Sequence, residues 1–152
     1  MSCEVVTFDA RYRADFARLN YAWITTLFAV EPLDQLILDN PEEEIVAKGG
    51  ELFFALQGKS VIGTVALKPE DSATYELTKM AVDESVRGSG CGRALLDAAV
   101  AHARLRGVKY IVLSSHTKLA PAIALYRNAG FVEQPAHCSG YSRCNIFMRL
   151  TL

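Results

Sequence analysis

No apolar run in this chain approaches the ~18 residues that a helix needs to cross a membrane. The first residues, Met1-Ser2-Cys3-Glu4, lack the basic and apolar segments of a secretory leader. Lys and Arg number 16 against 17 Asp and Glu, for a net charge of -1. That leaves no basic surplus to recruit nucleic acid or an anionic membrane, so neither is expected as a partner. The four cysteines, Cys3, Cys91, Cys138 and Cys144, form no C-x-x-C pair and no metal-like spacing. No metal site is expected, and a reducing, cytoplasmic setting is the simplest reading. Internal repeats, linkers and low-complexity tracts are missing too. What remains is 152 residues, 51% hydrophobic and 22% charged, which reads as one domain over 1–152 with enough chain to bury a core without staples.

Within that domain one stretch stands out, Met80-Ala81-Val82-Asp83-Glu84-Ser85-Val86-Arg87-Gly88-Ser89-Gly90-Cys91-Gly92-Arg93. It reads as a strand end, a glycine-rich turn and a helix start. Alternating glycines let a ligand approach the backbone closely. The unsatisfied amides and dipole of the helix N-terminus add an anion site suited to phosphate. Arg87 and Arg93 flank it. A triphosphate loop would need Lys followed by Ser or Thr after the glycines, and none follows. A dinucleotide turn would need G-x-G-x-x-G and an acid about 20 positions on. The spacing here is G-x-G-x-G, and the next strand ends in Leu113-Ser114-Ser115-His116.

The rest of the chain alternates strand and helix signals. Glu4–Phe8 is a β-prone run, and from about Asp9 apolar residues recur at helical spacing through Phe16, Leu19, Trp23 and Leu27. Tyr21, Trp23 and Phe28 read as packing residues, or one of them lines an acceptor pocket. Pro32 starts a short helix to Asp39, and Asn40-Pro41 breaks it. Glu42-Glu43-Glu44, with Glu31, Asp34 and Asp39 before it, is either a solvated face or a lure for a cationic amine. Residues 51–57 and 60–67 make a hairpin, and 73–82 a third strand that feeds the glycine turn. A helix over 93–106 and a strand over 108–113 complete a βαβ unit. A helix over 120–128, short strands at 131–133 and 145–150, and a polar loop between them close the chain.

The turn's R-x-x-G-x-G, carried by Arg87, Gly90 and Gly92, resembles the coenzyme A loop of the GNAT superfamily of N-acetyltransferases. Leu125-Tyr126-Arg127-Asn128-Ala129-Gly130-Phe131 resembles the family's L-Y-x-x-x-G-F, one helix and one strand later. Glu76-Leu77-Thr78-Lys79-Met80-Ala81-Val82 is similar to its strand before the loop. The resemblance covers about Gly50 to Phe131 through these motifs.

It implies an α/β (α+β) fold: a mixed, mostly antiparallel sheet flanked by helices, splayed between the strands ending at Val82 and Leu113. Acetyl-coenzyme A is the implied cosubstrate. Its pyrophosphate would meet Arg87, Gly88, Ser89, Gly90, Cys91, Gly92 and Arg93, and its arm the strand edge at Met80 and Val82. The implied reaction is direct acetyl transfer to a primary amine in a ternary complex, with Tyr126 as the acid for the thiolate and Glu76 as the base. Two-residue alternation puts Glu76 on one face with Thr78 and Met80.

His116, just past the cleft strand, is the second choice as a proton relay; His102 and His137 have no assigned role. Cys91 reads as a small filler rather than a nucleophile, although a thiol at a helix N-terminus can be acidified. Many members carry asparagine where this chain has Leu119, so a polar contact to the arm is missing or comes from Thr117 or Lys118. The acceptor's class is open among a free amino acid, a polyamine, an aminoglycoside and a protein N-terminus, and the acidic segment favours a small cationic molecule. The rival reading is a non-catalytic acyl-coenzyme A sensor that regulates a partner protein. A homodimer through the C-terminal strands is compatible with the family.

Overall fold

A computed structural model describes residues 3–135, 138 and 140–152. Seven strands form one sheet in the order β1-β2-β3-β4-β5-β7-β6. They are β1 (Glu4–Thr7), β2 (Glu51–Gln57), β3 (Ser60–Asp71), β4 (Thr74–Val82), β5 (Tyr110–Ser115), β6 (Val132–Gln134) and β7 (Ile146–Thr151). Every neighbouring pair is antiparallel except β4 and β5. Four α-helices flank it: α1 (Arg13–Leu27), α2 (Pro32–Asp39), α3 (Cys91–Leu105) and α4 (Ala120–Asn128). The mixed, mostly antiparallel sheet is the one expected.

The helices cover two faces with separate cores. Leu95, Leu96 and Ala99 of α3 and Ile123 and Tyr126 of α4 pack with Val65, Leu77, Ile111 and Met148 on one face. Phe16, Leu19 and Ile24 of α1 and Ile37 and Leu38 of α2 pack with Leu52, Phe54 and Ala66 on the other. Burial of these side chains supplies the drive to close both layers.

Boundaries moved by a few residues for local reasons. The helical pattern that opens near Asp9 begins as a 3-10 turn over Ala10–Tyr12, because the Asp9 carboxylate accepts from the Arg11 amide at 3.0 Å. Glu42–Val46 forms one turn of π-helix rather than an extended break. The strand expected over 108–113 runs Tyr110–Ser115 instead, following the turn at Gly107.

The pairing of β4 and β5 opens the cleft. Thr74, Tyr75 and Glu76 pair with Tyr110, Ile111 and Val112, and there the ladder ends. From Leu77 to Val82 β4 continues without β5, so the sheet splays as expected. A bulge in β4 reinforces this. Thr78 pairs with Ala66 and Ala81 with Thr64, so Lys79 and Met80 together oppose Val65. Lys79 has φ +55°, rare for a side chain of this kind.

One extra residue inverts the alternation, which corrects an expectation. Met80 and Val82 join Tyr75 and Leu77 on the α3/α4 face. Glu76 and Thr78 share the α1/α2 face with Ala81. Glu76 therefore lies with Thr78 but not with Met80.

The cysteines also depart from expectation. Cys3 is bonded to Cys91 with Cα atoms 5.8 Å apart, and Cys138 to Cys144 at 5.7 Å. No described cysteine is free. The spacing argument for a reducing compartment therefore loses its basis, because pairing across 88 residues leaves no trace in local spacing. Among the described residues no helix is long and apolar enough to cross a membrane.

Candidate active site

Between the diverging ends of β4 and β5 lies a cavity of about 630 Å³. One end is built by the glycine turn. The Asp83 carboxylate accepts from the Ser85 amide at 2.9 Å and starts a 3-10 turn over Glu84–Val86. Arg87 is extended, and Gly88 and Gly90 take φ +81° and +90°. A Cβ at either would meet nothing within 4 Å, so the glycines serve backbone conformation rather than clearance. Gly90 is the N-cap of α3 and has no side chain to cap it, which leaves the first-turn amides for a ligand.

Arg87 and Arg93 flank the turn, but both are partly engaged. Arg87 Nη1 stands 3.9 Å from Glu84, and Arg93 Nε donates to Asp97 at 2.9 Å. Of the residues expected to hold the cosubstrate, Met80, Val82, Arg87, Gly88, Gly90, Cys91, Gly92 and Arg93 line the cleft. Ser89 does not; its hydroxyl donates to Cys91 Sγ at 3.2 Å. Cys91 is buried and its sulfur is bonded to Cys3, which rules out a free thiol at the turn.

The expected catalytic pair is split by the sheet. Tyr126 lines the cleft from α4, packed 5.8 Å from the Phe131 ring, and its burial raises the phenol's pKa. Protonated at any working pH, it is a donor. Glu76 is half-buried on the opposite face and outside the cleft wall. Burial, with Glu70 nearby, pushes its carboxyl up to about 7, against the pull of Lys68 and Lys79. A carboxyl poised there can exchange protons near neutrality.

His116 lines the cleft, with Nδ1 accepting the Lys118 amide at 2.9 Å and its ring edge-on to Phe28 at 5.2 Å. Leu119 lines the wall where an asparagine was expected. Of its two candidate substitutes, Thr117 is tied to Asn145 by two hydrogen bonds and Lys118 reaches the cleft. Trp23 and Leu27 of α1 line the wall too, so Trp23 serves the pocket as well as packing. His102 packs against Phe53 at 5.6 Å, and His137 lies outside the described residues.

The opposite end of the cleft holds a cluster that periodicity does not reveal. Lys79, projected by the bulge, meets Asp34 of α2 at 2.5 Å, and neither side chain is more than 2% exposed. Arg143 grips the same carboxylate at 2.6 and 2.8 Å, and its Nη1 reaches Glu31 at 3.4 Å. The Glu31 amide donates to Asp34 at 2.9 Å and closes the capping box of α2. Burial pushes Asp34 up, but these hydrogen bonds outweigh it and hold the carboxyl at about 2. Tyr141 lies against both cations, 4.2 Å from Lys79 Nζ and 4.6 Å from the Arg143 guanidinium.

The acidic N-terminal segment is divided between this inner cluster and ion pairs on the surface. Asp34 and Glu31 hold Lys79 and Arg143, Glu42 and Glu43 meet Arg13, and Glu44 meets Lys48.

A family model described as "Acetyltransferase (GNAT) family" matches residues 14–131. The chain is similar to a mycothiol acetyltransferase of Beutenbergia cavernae, 37% identical over 78 residues. That stretch is 51% of this chain but only 26% of that protein, so the match spans about a quarter of the relative's length. An uncharacterized N-acetyltransferase of Bacillus subtilis is 29% identical over 104 residues, 66% of this chain and 67% of its own. The crystal structure of a GNAT-family acetyltransferase from Staphylococcus aureus shares the fold at TM-score 0.88, with 22% identity and 99% of both chains covered. A Salmonella typhimurium acetyltransferase structure with its cofactor acetyl-CoA matches at TM-score 0.76 and 19% identity, over 99% of this chain and 94% of that one.

Proposed function

The chain belongs to the GNAT acetyltransferase family, and from that premise we propose that it is an acetyl-coenzyme A-dependent N-acetyltransferase acting on a primary amine in a ternary complex. The observation that carries the reading is the cleft itself. An uncapped helix N-terminus behind two left-handed glycines leads into a strand edge without a partner, with a buried phenol alongside. Those parts fit the cosubstrate's chemistry. The first-turn amides and Arg87 suit a pyrophosphate, the free edge Leu77–Val82 suits an amide-bearing arm, and Met80 and Val82 suit its apolar stretches.

Bound acetyl-coenzyme A supplies the acetyl group as an activated thioester. The α3 turn orients it, and the walls formed by Leu113, Leu119 and Leu125 exclude water. Tyr126, kept protonated by its burial, gives its phenolic proton to the departing sulfur. Glu76, on the α1/α2 face, takes a proton from the acceptor's ammonium, so that nitrogen attacks as a neutral amine. The C–S bond breaks as the C–N bond forms; the acylated nitrogen then loses its second proton, which restores the Tyr126 phenol, and Glu76 releases the first proton to solvent, so that one proton is set free for each amide and thiol formed.

The test is a thermal shift with acetyl-coenzyme A followed by thiol release across an amine panel. At 100 times its dissociation constant the ligand should stabilise the native state by about 2.7 kcal/mol. No shift overturns the cosubstrate. A shift without amine-dependent thiol release leaves the sensor module in its place.

A further inference from the structure

Tyr141 is left over by the reaction just described. Its hydroxyl is buried and has no hydrogen-bond partner, the only described side-chain polar atom in that state. It lines the cleft, and its ring lies against Lys79 and Arg143, which Asp34 holds in place. A buried donor left unpaired is costly and calls for a partner. The cleft can bring one as water or as a ligand that displaces it, and the phenol, kept protonated by burial, needs an oxygen that accepts.

The charge of the wall narrows the ligand further. Lys79, Arg87, Arg93, Lys118 and Arg143 line the cleft, and no described Asp or Glu does. Arg87 and Arg93 belong to the phosphate end. Lys79 and Arg143 are balanced by Asp34 and Glu31. Lys118 remains, its Nζ 5.3 Å from the Phe28 ring centroid and in no ion pair with a described residue. Phe28 also stands 5.8 Å from the Arg143 guanidinium, which joins Lys118 to the Tyr141 side of the cleft.

Resting on the acetyltransferase reading, we infer that the acceptor is a small aminocarboxylate, with Tyr141 and Lys118 as the residues that recognise its carboxylate. The Tyr141 O–H donates to one carboxylate oxygen, and Lys118 supplies the opposing charge. A polyamine or aminoglycoside would bring positive charge to a wall that offers no carboxylate.

The experiment uses the full chain with acetyl-coenzyme A. Its thermal shift is recorded first, because no shift overturns the acetyltransferase reading and this inference with it. Protein amino acids are then compared with their carboxamides and with spermidine, by thiol release and by binding to the coenzyme A complex. The expected result is that at least one amino acid binds and reacts, with its carboxamide about tenfold poorer in kcat/KM or worse. Tyr141→Phe, which keeps the ring over both cations, should erase most of that preference through KM. It should leave acetyl-coenzyme A affinity unchanged and the ligand-free melting temperature equal or higher, since it deletes an unpaired hydroxyl. With the cosubstrate shift present, three results would overturn the inference: no amino acid binding, spermidine or carboxamides used as well as carboxylates, or an unaltered preference in Tyr141→Phe.

Discussion

The two ends of the cleft are built on different plans. The phosphate end comes from one continuous stretch, Asp83 to Arg93, and its parts are backbone amides, glycine torsions and exposed arginines. The far end is assembled from α2, the β4 bulge and the segment before β7. Asp34 meets Lys79 across 45 residues of sequence and Arg143 across 109. The first end depends on local conformation and can be disturbed with little cost to the core. The second is a buried ion cluster whose failure reaches into the fold. One end of the cleft is thus a local device, and the other is tied to tertiary packing.

Breaking the far end should show the largest effect. Asp34→Ala would leave the buried Lys79 unpaired and Arg143 with Glu31 alone, and cost about 3–5 kcal/mol, read as a lower urea midpoint. The same carboxylate predicts an acid limb. Its folded pKa of about 2 lies below the ordinary 3.8, so its stabilisation is complete above the ordinary value and is lost as pH falls through about 2. That contribution is about 2 kcal/mol and should be absent from the pH–stability curve of the Asp34→Asn variant. If Asp34→Ala were silent, the contrast between the ends would collapse.

Tyr126→Phe should lower kcat about a hundredfold or more while the acetyl-coenzyme A dissociation constant holds, as steady-state and binding measurements would show. Unchanged turnover would remove Tyr126 as the acid. At the phosphate end, Gly90→Ala forces a Cβ into φ +90° at a cost of about 1 kcal/mol or slightly more. It should weaken cosubstrate binding without changing the KM of the acceptor; an equal loss at both would contradict the separation of the two ends.

The effect confined to one range of pH concerns Glu76. Its folded pKa near 7 lies above the ordinary 4.5, so its burial is free of penalty below the lower value and grows costly as pH rises through the upper one. Glu76→Gln should therefore melt close to the parent at pH 5 and higher than it at pH 8, and its loss of activity should be greatest where the parent carboxyl is ionised. A variant with the parent's full pH–rate profile would sink Glu76 as the base.

The legible part of the site follows the same division. The glycine turn and the Leu125–Phe131 motif carry residue types whose backbone and ring chemistry survive any context, so their positions were readable. Glu76 was readable as a strand residue but not by face, because alternation holds only for an unbroken ladder and the Lys79 bulge adds one residue. Lys79 itself, Tyr141 and Arg143 look like ordinary surface residues. Only the burial of Lys79, its convergence with Arg143 on Asp34 and the packing of Tyr141 against both cations distinguish them. The acidic run remains a largely solvated face at Glu42 and Glu43, and local charge density does not disclose its partners Arg13 and Lys48. The cysteine pairs are a third case, where proximity comes from the sheet and not from spacing.

By itself the sequence determined the order of strands and helices, the glycine turn before α3 and the place of Tyr126 on α4, because each depends on periodicity, torsion preference or a short contiguous pattern. Tertiary structure alone decided which face Glu76 occupies, which charges are spent in the interior and which hydroxyl is left without a partner. Those are relations between residues distant along the chain, fixed only when β4 bulges against β3 and α2 closes over it.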